Sequence, residues 1–448
     1  MARPKCQGPE EWREWIEWLA AGLHGRNRWR LAVIIFGMLF ANGRRCVTAW
    51  LRAAGVSHGF QGYYYFIGLS VGRNIKTIAG RLFALLLNKI SSGDIVLLAI
   101  DDSPTKRYGP KIEGAGIHHN PTPGPADAKY LYGHVWTTIA WVVRHPSWGT
   151  IGLPLLALLY VRRKNLVTIP PHYNWTFHTK LQQGVELALW AKNIVEKAGK
   201  KLRIVADGAY AKRPFLRPLI EAGVTVVTRL RRDAALRDLP PVSKKGQARP
   251  RGRPRKYGKN KIDLAKRAAH RQGWEEIECE IYGETVLKTC KTFLATYQPA
   301  GGVIRVAIAK EPGRHDSFFS TDPNMTAREI LETFSDRAPI EQDFHDVKEV
   351  WGAGQQQLRN IWANIGAWNL NLWLHSLVEL AAWHQRKQNI CDRTASPWDD
   401  PKRRPSHADR RKALQHKMIE LEFSDTHGKC SIPRKIRRLT KWLATLAT

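Results

Sequence analysis

The sequence predicts an α/β fold with a helical N-terminal domain, and three features lead there. Two short apolar runs, residues 95–100 (IVLLAI) and 202–206 (LRIVA), each lead straight into aspartate. Runs of that length without polar alternation are what a strand buried on both faces requires. Amphipathic helical stretches follow at 180–198 and 215–222, and further strand-like runs stand at 135–143, 151–161 and 224–228. The expected order is therefore β-β-β-α-β-α-β, with carboxylates at the ends of its first and fourth strands. Ahead of it, residues 1–90 carry apolar side chains at helical spacing, as at Trp15, Leu19 and Leu23.

The chain has 448 residues, enough for two or three domains. With 71 Lys and Arg against 39 Asp and Glu, its net charge is +32, spread along the whole length. Such a charge calls for a polyanionic partner, most simply nucleic acid. The six cysteines include no Cys-x-x-Cys pair, which argues against a zinc module or disulfide framework and fits a reducing compartment. Glu10, Glu11 and Glu14 stand where a signal peptide would be basic and then apolar. The apolar runs 31–41 and 151–161 are too short to span a bilayer. The expectation is a soluble, cytoplasmic protein with no membrane partner.

Along the chain, residues 46–69 read as helix, turn, helix with Arg44, Arg45, Arg52 and Arg73 nearby. A DNA-reading helix-turn-helix and a plain helical cap fit equally well. After Asp101-Asp102, Ser103-Pro104 is expected to leave the strand, and 108–129, rich in Gly and Pro, to form a loop. Residues 231–325 shift in composition. Within them 244–261 hold nine basic residues in eighteen, including Arg251, Arg253 and Arg255, a candidate DNA-binding loop. Arg251-Gly252-Arg253-Pro254 has the form of a minor-groove AT-hook core, although a generic basic loop accounts for it as well. Three alternating runs at 275–282, 286–297 and 303–309 follow. Thr326 and Glu329 form a capping box. Pro339 suits a first helical position, and a long helix is expected over 355–383, with Trp362, Trp368 and Trp373 on the sheet and Asn364, Asn369 and Asn371 facing DNA. From 386 onward the composition predicts a basic tail, ending in a short helix at 442–446.

In the helix after Pro339, Glu341 and Lys348 are seven residues apart and share a face, with Phe344 between them. Arg337 stands just upstream. A single Glu–Lys pair is usually a solvated ion pair. Here, however, Phe334-x-x-Arg337-x-x-x-Glu341-x-x-x-x-x-x-Lys348 resembles the Tyr/Arg/Glu/Lys signature of bacterial insertion-sequence transposases of the DDE superfamily. Phe334 stands in the Tyr position without its hydroxyl, and Ala338 stands where the family often has Trp.

The resemblance implies an RNase H-like core, 91–230 and 326–385, interrupted by a basic β-rich insertion at 231–325 between the second and third acids. It implies Asp102, Asp207 and Glu341 as catalytic acids and metal ligands. The strand pleat lets only one of Asp101 and Asp102 face the metals. The family context of an apolar residue, an acid, Asp and then Thr or Ser selects Asp102, with Asp101 as the alternative. Three carboxylates without Cys or His favour Mg²⁺ or Mn²⁺, two ions in this chemistry. Arg337 and Lys348, and Lys106 with Arg107, would contact phosphate. The implied partner is double-stranded DNA, element ends and target, held by a homodimer on paired ends near the nucleoid. The implied function is a DNA transposase. A nuclease of the same fold without strand transfer, or a non-catalytic DNA-binding regulator derived from such an enzyme, are the alternatives.

Overall fold

The computed structural model describes residues 8–120, 128–241, 255–393, 398–400 and 402–426. Helices α1 (Glu10–Ala20), α2 (Trp29–Phe40), α3 (Val47–Ala53), α4 (Gln61–Tyr65) and α5 (Ile75–Lys89) form the N-terminal layer. Its helical character follows the apolar spacing: Trp15, Ile16, Leu19 and Leu23 are all buried. Between α4 and α5 the chain tightens and loosens through a π turn, Phe66–Val71, and a 3-10 turn, Gly72–Asn74. This irregular stretch lies against a later helix, α11 (Ile361–Ala382), at backbone-to-backbone distance. A Cβ on Gly72 would sit 2.1 Å from the Trp362 carbonyl oxygen, and one on Gly366 would sit 2.2 Å from that of Ile67. Only glycine lets the two backbones approach this closely.

The central sheet begins with β1 (Ile95–Lys106), β2 (Gly116–His119), β3 (Tyr130–His145) and β4 (Gly149–Tyr160). Helix α6 (Lys180–Lys197), strand β5 (Lys201–Ala206), helix α7 (Arg213–Glu221) and strand β6 (Thr225–Arg229) complete the expected order. β3 pairs antiparallel with β1 and β4, whereas β5 runs parallel to β1 and β6 parallel to β5. β1 departs from expectation in length. It continues through Asp101, Asp102 and Pro104 to Lys106, still paired with β3. The Arg107 backbone N–H donates to Tyr132 of β3, so the odd-numbered residues here address β3. The missing N–H of Pro104 therefore falls on the other side, where pairing with β5 has already stopped at Ile100. The stretch expected as a loop after it contains β2, paired with β3.

Beyond β6 come the short strands β7 (Leu236–Arg237) and β8 (Lys261–Ile262), helix α8 (Leu264–Ala269), and strands β9 (Glu275–Ile281), β10 (Glu284–Tyr297), β11 (Gly302–Glu311) and β12 (Arg314–Ser320). The strand at β12 was not signalled by the sequence, and it has a consequence. It pairs antiparallel with β6, so the β-rich segment extends the central sheet in the order β3-β1-β5-β6-β12-β11-β10. The result is a large mixed sheet with helices on both faces, consistent with an RNase H-like DDE fold.

Helices α9 (Ala327–Ser335), α10 (Pro339–Glu349), α11 (Ile361–Ala382), α12 (Lys387–Ile390) and α13 (His407–Thr426) follow. α9 opens on the expected Thr326–Glu329 capping box. The pleat of β1 sorts the layers. Leu97 and Ala99 share an apolar cluster with Ile340 and Phe344 of α10, while Leu98 and Ile100 join the larger core that includes Leu187 and Ala191 of α6. α11 starts at Ile361, later than the composition suggests, because the Asn360 side chain caps it by accepting from the Ala363 N–H. Trp368 stacks on Trp136 with ring centroids 4.9 Å apart, and the Trp373 indole donates to the Leu155 carbonyl at 2.8 Å. Trp362 instead packs beside Tyr173 and Trp175. Asn364, Asn369 and Asn371 do not face DNA. All three are fully buried, and Asn369 accepts from the backbone N–H of Ala157 and donates to its carbonyl, both in β4. The segment from 386, expected as a tail, contains α13, which buries Leu414 and Met418. The terminal helix expected at 442–446 lies outside the described residues. Among the described residues no helix is long and apolar enough to cross a membrane.

Candidate active site

Two adjacent carboxylates on β1 meet different partners because successive strand residues point to opposite faces. Asp101 points to the α10 face. Its Oδ2 accepts from Arg337 Nη1 at 2.7 Å, and Arg337 Nη2 donates to Glu341 Oε1, also at 2.7 Å. Asp102 points to the α6 face, where its Oδ2 receives Lys180 Nζ at 2.6 Å. The structure thus brings Asp101, not Asp102, together with Glu341. The family context that selects Asp102 reads sequence neighbours, whereas the pleat decides which acid meets the third helix.

Arg337 sits in the turn between α9 and α10, placed by the tight 3-10-like bonds that precede Pro339. Its guanidinium lies over the Phe334 ring, 5.7 Å from the centroid, and Phe334 in turn packs on Phe318 of β12. The aromatic ring therefore serves as a platform here, a role that needs no hydroxyl. Asp207 follows β5 directly and caps the turn Gly208–Tyr210, its Oδ2 accepting from the Ala209 N–H at 3.2 Å. The Thr228 hydroxyl fixes its backbone by donating to the Asp207 carbonyl at 3.0 Å. Parallel pairing of Ile100 with Ala206 sets Asp101 and Asp207 at the same sheet edge.

The electrostatics reflect this convergence. Burial raises the Asp101 pKa to about 7 despite the opposing pull of Arg337, and the charges of Asp102 and Asp207 add to the rise. For Arg337, burial works against the charged form, yet Asp101, Glu341 and Asp207 outweigh it and the net direction is upward. Lys348, two turns along α10 from Glu341, donates from Nζ to the Ser103 hydroxyl at 2.7 Å. Burial lowers its pKa to about 8.

Lys106 is exposed at the end of β1. Arg107 is buried and committed to the fold, donating to the Gly354 carbonyl at 2.5 Å and to His134 Nδ1 at 3.2 Å. Arg255 is exposed, while Arg251 and Arg253 lie outside the described residues.

Sequence reading missed a second polar cluster, buried between α11 and α13. His375, Glu379 and His407 bring possible ligand atoms within 4.8 Å of one another. Hydrogen bonds already commit Glu379 and His407 otherwise, and His375 stacks on His407 with ring centroids 3.9 Å apart. Both Glu379 oxygens accept from Arg410 Nη1 at 2.7 Å, and one also faces His407 Nδ1 at 2.6 Å. The Trp351 indole donates to His407 Nε2 at 2.8 Å, which places the ring proton on Nδ1 and leaves no free lone pair. Burial alone would raise the Glu379 pKa, but Arg410 and His407 hold it well below the usual carboxylate range. The group is a buried ion pair. The i, i+4 spacing of His375 and Glu379 on a helix was its one signal in the sequence.

The acids Asp101, Asp207 and Glu341 offer only oxygen donors, the set that hard divalent cations such as Mg²⁺ and Mn²⁺ take. Asp101 and Glu341 already converge on a cation, the guanidinium of Arg337, and the charge of Asp207 acts on the same group. The residues therefore fit the metal that this chemistry implies. No curated protein matches the chain. A family model described as DDE superfamily endonuclease matches residues 19–291, a span that includes β1 with its aspartate pair and Asp207 but stops short of α10. Matched over more than half its length, the chain belongs to the DDE superfamily of endonucleases.

Proposed function

We propose that the chain is a DNA transposase that cuts the backbone at element ends and joins the freed 3′-hydroxyl to a target strand, using Asp101, Asp207 and Glu341. The observation that carries this reading is the meeting of Asp101 and Glu341, from β1 and α10, at Arg337, with Asp207 beside them at the end of β5. These three would hold Mg²⁺ or Mn²⁺, two ions in the two-metal form of the chemistry. The bound metal would lower the pKa of the attacking oxygen and offset charge on the phosphate. Lys348 offers an ammonium point charge to the scissile phosphate, and Arg337 offers a planar fork that can take two of its oxygens. In the first step water attacks phosphorus and the 3′-oxygen leaves as a hydroxyl. In the second that hydroxyl attacks a target phosphate, again expelling a 3′-oxygen, so one site serves both steps. Asp102 holds Lys180 on the opposite face and stands outside the acid set.

The exposed Arg255, Lys106 and the basic stretch around Arg251 and Arg253 supply backbone contacts to double-stranded DNA. Two copies, one per element end, complete the reaction.

A labelled end fragment and a target plasmid test this with the full chain. The wild type should yield both nicked and joined products with Mg²⁺. Asp207→Asn and Glu341→Gln should abolish both while keeping end binding, because phosphate contacts elsewhere persist. Nicking without joined product would favour a nuclease of the same fold, and cleavage by either variant would overturn the acid assignment.

A further inference from the structure

We propose that Arg337 is the resident cation of the acidic site, holding the place of a divalent ion until DNA draws it away. The inference rests on the metal reading given above. One guanidinium joins two carboxylates 240 residues apart in sequence, Asp101 through Nη1 and Glu341 through Nη2, each at 2.7 Å. Asp207 adds its field at the same group. Set close together, the three acids would repel one another, and the structure places a positive charge among them.

The two arms are unequal. The Asp101 and Arg337 side chains are 18% and 15% exposed, whereas that of Glu341 is 62% exposed. An ion pair with one end in water is weak and exchanges readily, so the Glu341 arm is the one that opens. Arg337 Nε is buried and makes no hydrogen bond to any described group. The guanidinium therefore has unspent donor capacity, and a phosphate is the anion whose geometry matches its fork. DNA arriving at Glu341 and Lys348 would offer that phosphate. The arginine would turn to it, and the acids would be released for metal. Metal entry and DNA arrival then become linked, since each favours the same displaced position of Arg337, and the linkage acts in both directions.

Before DNA arrives, Arg337 acts on the metal only through the acids. Mn²⁺ binding to the full-length protein without DNA, followed by calorimetry, tests it without any turnover. Replacing Arg337 by glutamine (R337Q) should tighten Mn²⁺ binding by on the order of tenfold, the scale of one charge-assisted contact. R337Q should also melt lower than the wild type without Mn²⁺ and recover when Mn²⁺ is added. Arg337→Lys keeps the charge but cannot grip both acids, so it should tighten Mn²⁺ less, and it serves if the glutamine variant does not fold. Unchanged or weaker Mn²⁺ affinity in the folded variants overturns the proposal. Asp207→Asn and Glu341→Gln separate the two readings. If Mn²⁺ binding is indifferent to these, the metal reading itself fails. If they abolish binding while Arg337 substitutions leave it unchanged, only the role of Arg337 fails.

Discussion

Asp101 and Asp102 lie on opposite faces of one strand, and their partners differ accordingly: Arg337 and Glu341 for the first, Lys180 for the second. The alternation itself was legible in the sequence, because period two follows from any strand. Which face would receive the third acid was not, since that depends on where a helix 240 residues later docks. Lys348 shows the complementary case. Its seven-residue spacing from Glu341 was legible, but its burial against Ser103 was not. That burial has a pH consequence. The Lys348 pKa falls from its ordinary 10.5 to about 8 on folding, so between these values the unfolded chain binds a proton the folded protein has lost. This group therefore costs stability in full below about pH 8, and its cost fades as pH rises toward 10.5. The unfolding free energy of the wild type, measured relative to Lys348→Met, should rise across that window. If the ammonium contacts phosphate, cleavage should also fall as pH passes about 8 in the wild type and stay level in Lys348→Arg. Parallel pH profiles for the two proteins would remove Lys348 from the reaction.

At the scale of elements, α10 owes its position to what it rests on. Gly152 of β4 lies directly beneath Asp343, and a Cβ there would stand 2.0 Å from Asp343 Oδ2. Asp343 is buried, and burial with the charges of Asp346 and Glu379 pushes its pKa well up. Gly152→Ala should force α10 outward, carrying Glu341 with it. Overpacking of this kind costs about 1–3 kcal/mol, and the expected result is a lower melting temperature with a larger loss of cleavage rate. A variant with wild-type stability and rate would show that the contact is slack. The existence and type of the main helices and strands were legible from periodicity. The role of the α11 asparagines was not, because polarity in a helix does not say whether water or backbone satisfies it. Asn369 serves the backbone of Ala157 on both sides. Asn369→Leu leaves those groups unpaired in the core and should cost about 1–3 kcal/mol in chemical denaturation.

At the scale of the molecule, the C-terminal helix ties the layers together. Arg410 grips Glu379 of α11, and Arg411 donates to the carbonyls of Leu39 in the last turn of α2, of Ala41 just after it and of Val350 after α10. Basic composition suggested a tail that tracks phosphates. The arginines are instead buried donors to carbonyls and a carboxylate, a use that charge counting cannot distinguish from DNA contact. Arg410→Met should cost about 3–5 kcal/mol, because Glu379 would remain buried without its partner. A melting curve checks it, and a shift near zero would mean that Glu379 simply protonates. On the proposed function, the net charge of +32 acts on DNA as a whole. With roughly six phosphates neutralised, log K should fall against log salt with a slope near −5, at about −0.9 per phosphate. Deleting residues 244–261 should make it shallower, and an unchanged slope would mean that this stretch does not touch DNA.

The central claim is that the pleat of β1 gives Asp101 the first acid's role. Single-turnover, Mg²⁺-dependent cleavage of a labelled end fragment by Asp101→Asn and Asp102→Asn, run side by side with end binding and melting curves, tests it directly. The account predicts no cleavage from Asp101→Asn and retained cleavage from Asp102→Asn, with both proteins folded and binding DNA. Retained cleavage in the first and its loss in the second would contradict it.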